Sequence, residues 1–138
     1  MIQSIFKQIK RFGAVSTLTL ALVAPQVVAA QSVPVRLGLD GPEFDACGGF
    51  GEVYRLNPNG DNYLSVRNRP SGQGRELDRL GPKQGVWMCE TRGRWIGVVY
   101  SKGGQDCFVS SPTRNVRNYN GPCPSGWVFD KYIKLIAG

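Results

Sequence analysis

Four cysteines, ten carboxylates and no histidine bound the chemistry open to this chain of 138 residues. Without histidine there is no Ser–His–Asp or Cys–His nucleophile, and most metal-hydrolase sites are also excluded. Cys47, Cys89, Cys107 and Cys123 are separated by 42, 18 and 16 positions, with no closely spaced pair of the kind a zinc site uses. An even count in a short exported chain reads instead as two disulfides, for which three pairings are possible. The loop-entropy model credits a Cys107–Cys123 bridge with about 3 kcal/mol and a Cys47–Cys89 bridge with about 4 kcal/mol. Two carboxylate pairs, Glu43 with Asp45 and Glu76 with Asp78, have the residue types of a glycosidase, which needs its carboxyl groups about 5–10 Å apart across a cleft. Nothing in the sequence puts either pair in a cleft, and both read as solvated loop and strand charges. A phosphate-cradling Gly-x-x-x-x-Gly-Lys segment and a dinucleotide fingerprint are also missing. The expectation is a protein that binds rather than one that catalyses, with no cofactor and no metal.

Aromatic and arginine side chains are the better candidates for recognition, because they supply contact area and forked donors. Trp87 alternates with Val86 and Met88 and is expected to point away from the core. There it serves as a binding aromatic or is covered by the N-terminal segment. Trp95 and Trp127 read as core or core-rim residues, whereas Tyr100, Tyr119 and Tyr132 fall near strand ends or loops, where they can line a groove. From Arg67 to Arg94 seven basic residues face three acids, and Arg114 and Arg117 lie in a stretch without an acid between Asp106 and Asp130. Such a stripe suits a carboxylate- or phosphate-bearing polymer, or is simply a solvated basic face.

The start of the chain says where these residues work. Lys7, Lys10 and Arg11 form a positive region without acids, an apolar run spans Ala14 to Val23, and Pro25 breaks it. Val28 and Ala30 are small residues at the positions a signal peptidase reads, so residues 1–30 are expected to be cleaved and the mature chain to begin at Gln31. A membrane anchor needs about 18 or more apolar residues, and Ser16, Thr17, Thr19 and Pro25 interrupt this run. The expected location is the periplasm or the medium, with no membrane span after cleavage. The precursor carries +7; the mature part holds 14 basic residues against 10 acids, a balance of +4. Export and so mild a charge argue against a nucleic-acid partner.

Residues 31–50 carry two prolines and no clear period, and read as an extended arm tied down only at Cys47. Beyond them short strands alternate with turn chemistry. Phe50 to Leu56 is the first, with Val53 and Leu56 toward the core, followed by the turn Asn57-Pro58-Asn59-Gly60-Asp61-Asn62. Tyr63 to Arg67 is the second, in which Leu64 and Val66 alternate with Ser65 and Arg67. A glycine-bearing loop follows at Arg69–Gly74, and Leu77 and Leu80 lead to the Gly81-Pro82 turn. Gly85–Thr91 and Arg94–Tyr100 form a hairpin about Arg92-Gly93, and Gly126–Phe129 and Ile133–Ile136 are the last apolar pieces. Strands at this spacing indicate a small all-β barrel or sandwich.

The run Leu64-Ser65-Val66-Arg67-Asn68-Arg69-Pro70-Ser71 resembles the "LNVRSGPS" signature that opens bacterial Src-homology-3 domains. Leu80, Gly85-Val86-Trp87-Met88, Arg94-Trp95-Ile96-Gly97-Val98, Gly126-Trp127-Val128 and Tyr132-Ile133-Lys134-Leu135 follow in the order of that family's blocks, across about residues 51–136. The resemblance implies an all-β, Src-homology-3-like barrel of about five to seven short strands over residues 51–138. It also marks residues 101–125, which hold Cys107 and Cys123, as an insertion before the Gly-Trp-Val strand, and Cys47 and Cys89 as further additions. The implied function is an exported, non-catalytic binding module for peptidoglycan, its peptides or another envelope polymer. Arg67, Asn68 and Arg69 would open the ligand groove between the 68–76 loop and the strand aromatics. A periplasmic protein partner is the alternative, with the insertion as a rigid loop that enters another protein's cleft. Of the three pairings, Cys47–Cys89 and Cys107–Cys123 fit this strand placement.

Overall fold

The computed structural model describes residues 33–138, together with Gly13, Leu18 and residues 20–25. Most of the leader reading therefore lies outside the described residues. The fold is all-β: β1 (Arg36–Leu37), β2 (Gly49–Val53), β3 (Leu64–Arg67), β4 (Glu76–Leu80), β5 (Gly85–Arg92), β6 (Trp95–Val99), β7 (Arg117–Asn118), β8 (Ser125–Phe129) and β9 (Ile133–Ala137). The last two strands are joined by one turn of 3-10 helix, Asp130–Tyr132. Seven strands form one antiparallel sheet in the order β4-β3-β8-β6-β5-β2-β9, and β1 pairs with β7 in a separate two-stranded ribbon. The main sheet thus has seven strands, within the five to seven expected. The other two among the described residues, β1 and β7, belong to the arm and the insertion, where a two-residue pairing leaves no period to read.

Alternation builds the main core. Leu64 and Val66 of β3 point inward while Ser65 and Arg67 point out, and Val86, Ile96, Val98 and Val128 repeat the pattern on the neighbouring strands. Leu80 of β4 and Ile133 of β9 join the same cluster, so both ends of the sheet contribute to one core. β2 begins at Gly49 and stops at Val53, short of the expected Leu56, and Arg55 soon follows with a φ of 58° that no strand accommodates. Leu56 nevertheless packs against the core, as expected.

The opposite face of β5 and β6 carries a second core that the sequence reading did not contain. Val35, Leu37 and Ala46 of the arm close over Val99, Cys89, Val109 and Tyr119. The arm is therefore not tied down only at Cys47. Its β1 pairs Arg36 with Asn118 and Leu37 with Arg117, and the amides of Ala46 and Cys47 donate to the carbonyls of Ser111 and Val109. Nor do residues 101–125 form a protruding loop, since they supply four of the ten buried residues of this second core. Gly97 is the contact point: a Cβ there would lie 2.9 Å from Val35 Cγ1, so the arm can approach β6 only over a glycine.

Both bridges form as expected, Cys47–Cys89 and Cys107–Cys123. β5 carries a bulge in which Met88 opposes Val98 and Glu90 opposes Gly97, leaving Cys89 as the extra residue. The bulge lets two consecutive side chains serve the arm, Cys89 through the disulfide and Glu90 through Arg36. Glu90 is the buried charge among the described residues, its side chain 1% exposed. One carboxylate oxygen accepts the Arg36 amide at 2.9 Å, and the other takes Arg36 Nη2 at 2.7 Å and Arg92 Nη2 at 2.8 Å. Burial opposes ionisation of Glu90, but the Arg36 and Arg92 hydrogen bonds outweigh it and hold its pKa below the ordinary value.

Candidate functional site

A polar cleft of about 390 Å³ opens on the outward face of β3, where the alternation that buries Leu64 and Val66 exposes Ser65 and Arg67. Arg67 lies opposite Glu76 of β4 across a register shift, and Ser65 donates a short hydrogen bond to Glu76. Arg55 and Asp61, from the connection between β2 and β3, form one rim, and Tyr132 of the 3-10 turn forms another. Tyr63 is fixed by the Arg79 guanidinium, 4.2 Å above its ring, and Arg55 lies 4.8 Å from the Tyr54 ring.

Charge in the cleft is unevenly committed. The Ser65 hydroxyl and then Arg79 hold the Glu76 carboxyl below its usual range, so it remains an anion that already has partners. Arg67, which lines the cleft, donates one N–H from Nη1 to the Gly74 carbonyl at 2.8 Å, and among the described residues its other N–H groups have no hydrogen-bond acceptor. The loop behind it is braced at both ends. The Asn68 amide donates to the Arg75 carbonyl, the Arg75 amide donates to Asn68 Oδ1 at 2.9 Å, and Arg69 Nη2 reaches the Gln73 carbonyl at 3.2 Å. A braced loop that aims an arginine at open space is suited to receive a carboxylate or phosphate.

Of the residues singled out for binding, the structure brings Arg67 and Tyr132 together at this cleft. Asn68 and Arg69 belong to the loop that supports it and do not line it. Trp87 does point away from the main core, but it is half-buried against the second core and meets the Phe50 ring edge-on at 4.8 Å. It packs against the second core, and it also borders a small surface pocket with Phe50 and Gly49. Tyr100 is not a groove residue: it is 1% exposed, and its hydroxyl donates to Asp78 at 2.8 Å. Burial, then Asp78, drives its pKa upward. Tyr119 is also interior. Its hydroxyl donates to the Cys107 carbonyl at 2.9 Å and accepts the Cys123 amide at 3.1 Å, and burial raises its pKa. Both tyrosines sit at strand ends in sequence, but Tyr100 is buried in the main core and Tyr119 in the second core that the arm and insertion form. Arg114 and Arg117 are exposed on the insertion, outside the cleft.

Both carboxylates of the pair Glu76 and Asp78 have hydrogen-bond partners, Glu76 in Ser65 and Arg79 and Asp78 in Tyr100 and Lys102. Asp78 is pushed up by burial but held below its ordinary range by Lys102, the Arg79 amide and Tyr100. Asp45 lies in the arm, opposite Pro112 in an isolated bridge. Among the described residues no three histidine, cysteine or acidic side chains converge as a metal would require. Sequence reasoning missed Arg55, Asp61, Tyr63 and Ser65. The outward alternation of Ser65 with Arg67 was a usable signal, whereas the backbone twist at Arg55 leaves no trace in residue type. No protein-family model, curated protein or solved structure matches the chain.

Proposed function

We propose that this protein is an exported, non-catalytic binding module of the cell envelope, that its main sheet is a Src-homology-3-like domain, and that it recognises peptidoglycan or its peptides at the polar cleft. The observation that carries this reading is Arg67, braced by the 68–74 loop and left with unspent donors beside Tyr132. Carboxylates of envelope peptides are the matching acceptors. An open polar cleft gives weak single contacts, which a repeating polymer converts into retention through avidity. Two disulfides suit the oxidising compartment to which the leader would deliver the chain. The quoted sequence blocks fall on β3, β5, β6, β8 and β9, which supports the family resemblance.

Retention of the oxidised protein on purified sacculi at low salt is the direct test. Arg67→Gln should remove most of it and Arg114→Gln should not; absence of retention by the unaltered protein refutes the proposal. One observation favours a protein partner instead. Phe108, in the disulfide-closed insertion, is 67% exposed and held at a φ of 58°. A bulky residue in that conformation stores strain, and such strain gathers at functional sites. In-cell cross-linking from position 108 that yields one protein and no polymer would select this second reading.

A further inference from the structure

A second cleft, of about 360 Å³, lies where the arm meets the sheet edge, and its chemistry differs from that of the first. Leu39, Met88 and Leu135 supply apolar walls, and Gly48 and Gly49 leave space between them. Leu39 and Leu135 are both exposed large hydrophobics. The turn Gly38–Gly41 presents Leu39 and Asp40 side by side. Its two glycines have φ values of 76° and 106°, and the Gly38 amide donates to the Ala46 carbonyl at 2.8 Å. The Asp40 carboxylate lies over Gly48 so closely that a Cβ there would collide with it. Gly48 therefore makes room for an acid at the cleft. Among the described residues Asp40 forms no ion pair, whereas the other acid in the wall, Glu90, is satisfied by Arg36 and Arg92. The Cys47–Cys89 bridge anchors the arm to the wall that Cys89 contributes.

We infer that this cleft takes the lysine side chain of a partner polypeptide, with the methylenes against Leu39, Met88 and Leu135 and the ammonium on Asp40. Lysine carries a point charge at the end of an apolar stem, which matches apolar walls with one uncommitted carboxylate. An anion would meet Asp40 with repulsion. A purely apolar side chain would desolvate the carboxylate without pairing it.

The test is an amide chemical-shift titration of the oxidised protein with N-acetyl-lysine-N′-methylamide and with its uncharged norleucine counterpart. Saturable shifts at Gly48, Gly49, Thr91 and Leu135 are expected. The lysine probe should bind about fivefold tighter than norleucine, equivalent to about 1 kcal/mol. Asp40→Asn should erase that preference, and Gly48→Ala, which displaces the carboxylate without removing it, should weaken it. Spectral dispersion checks that both variants are folded. Equal binding of the two probes, a preference that survives Asp40→Asn, or the absence of shifts with the lysine probe overturns the inference. So do shifts that follow protein concentration alone, which would mark this face as a contact between copies.

Discussion

Replacing Glu90 tests whether the arm is an integral part of the fold. Glu90→Ala leaves the Arg36 amide without its acceptor, at a cost of about 1–3 kcal/mol. It also removes two ion pairs whose arginine side chains are 47% and 51% exposed, so each contributes only about 0.2–1 kcal/mol. Breaking a buried pair costs about 3–5 kcal/mol when the stranded charge stays buried, but these arginines can turn to water, which favours the lower end. The expected loss is therefore about 3 kcal/mol, and at about 4–8 °C per kcal/mol for a domain near this size, the midpoint should fall by roughly 15 °C. Glu90→Gln keeps an oxygen for the Arg36 amide and should cost about 1–2 kcal/mol. Because the folded carboxyl titrates below its ordinary value of 4.5, its contribution is full above that pH and is lost as pH falls through the folded value. The Gln variant should consequently show a shallower acid slope below about pH 4.5 than the unaltered protein. Urea unfolding followed by tryptophan emission gives the free energies, and hydrogen exchange should show the Arg36 and Leu37 amides opening before those of β6. A Glu90→Ala midpoint indistinguishable from the unaltered protein, or an unchanged acid slope in the Gln variant, would refute this account of the arm.

Replacing Cys107 and Cys123 together by alanine should cost about 3 kcal/mol and increase exchange at Tyr119 and along β1. Deleting residues 103–124 should give a broad, uncooperative thermal transition, because it strips Cys107, Val109, Tyr119 and Cys123 from the second core and uncovers Val35 and Leu37; a sharp transition near the original midpoint would contradict the two-core description. Phe108→Asn should raise stability by about 1 kcal/mol, since asparagine tolerates the left-handed backbone that phenylalanine resists. A calorimetric midpoint that falls on this change would show that the phenyl ring contributes packing instead.

The parts of the fold that were legible are those fixed by local pattern. Alternation at Leu64 and Val66 and the hairpin at Arg92-Gly93 are written in neighbouring residues, and the structure reproduces both. β4 was read only as two leucines leading into a turn, because Glu-Leu-Asp-Arg-Leu carries polar residues on either side of Leu77. The second core was invisible for a different reason. β1 gains its partner strand only when Arg117 and Asn118 arrive from the far end of the chain, and no local period announces such a meeting. The same closure turned Tyr119 from an apparent groove residue into an interior one, whereas Tyr100 is buried in the main core. Of the cleft, Arg67 and Tyr132 could be named in advance; the opposing rim depends on a connection whose path is set by the backbone at Arg55.

The pairing of β1 with β7 also imposes an order of events on the newly made chain. The arm is synthesised before any strand of the main sheet, yet its partner strand comes after five of the seven sheet strands. Until then β1 has no partner strand, and Cys47 cannot form its bridge before Cys89 has been made. Contacts so distant in sequence are slow to form, since loop closure is paid before they reward it. The arm is thus first out and among the last parts to find its partners, and its attachment through Cys47–Cys89 depends on an oxidising environment.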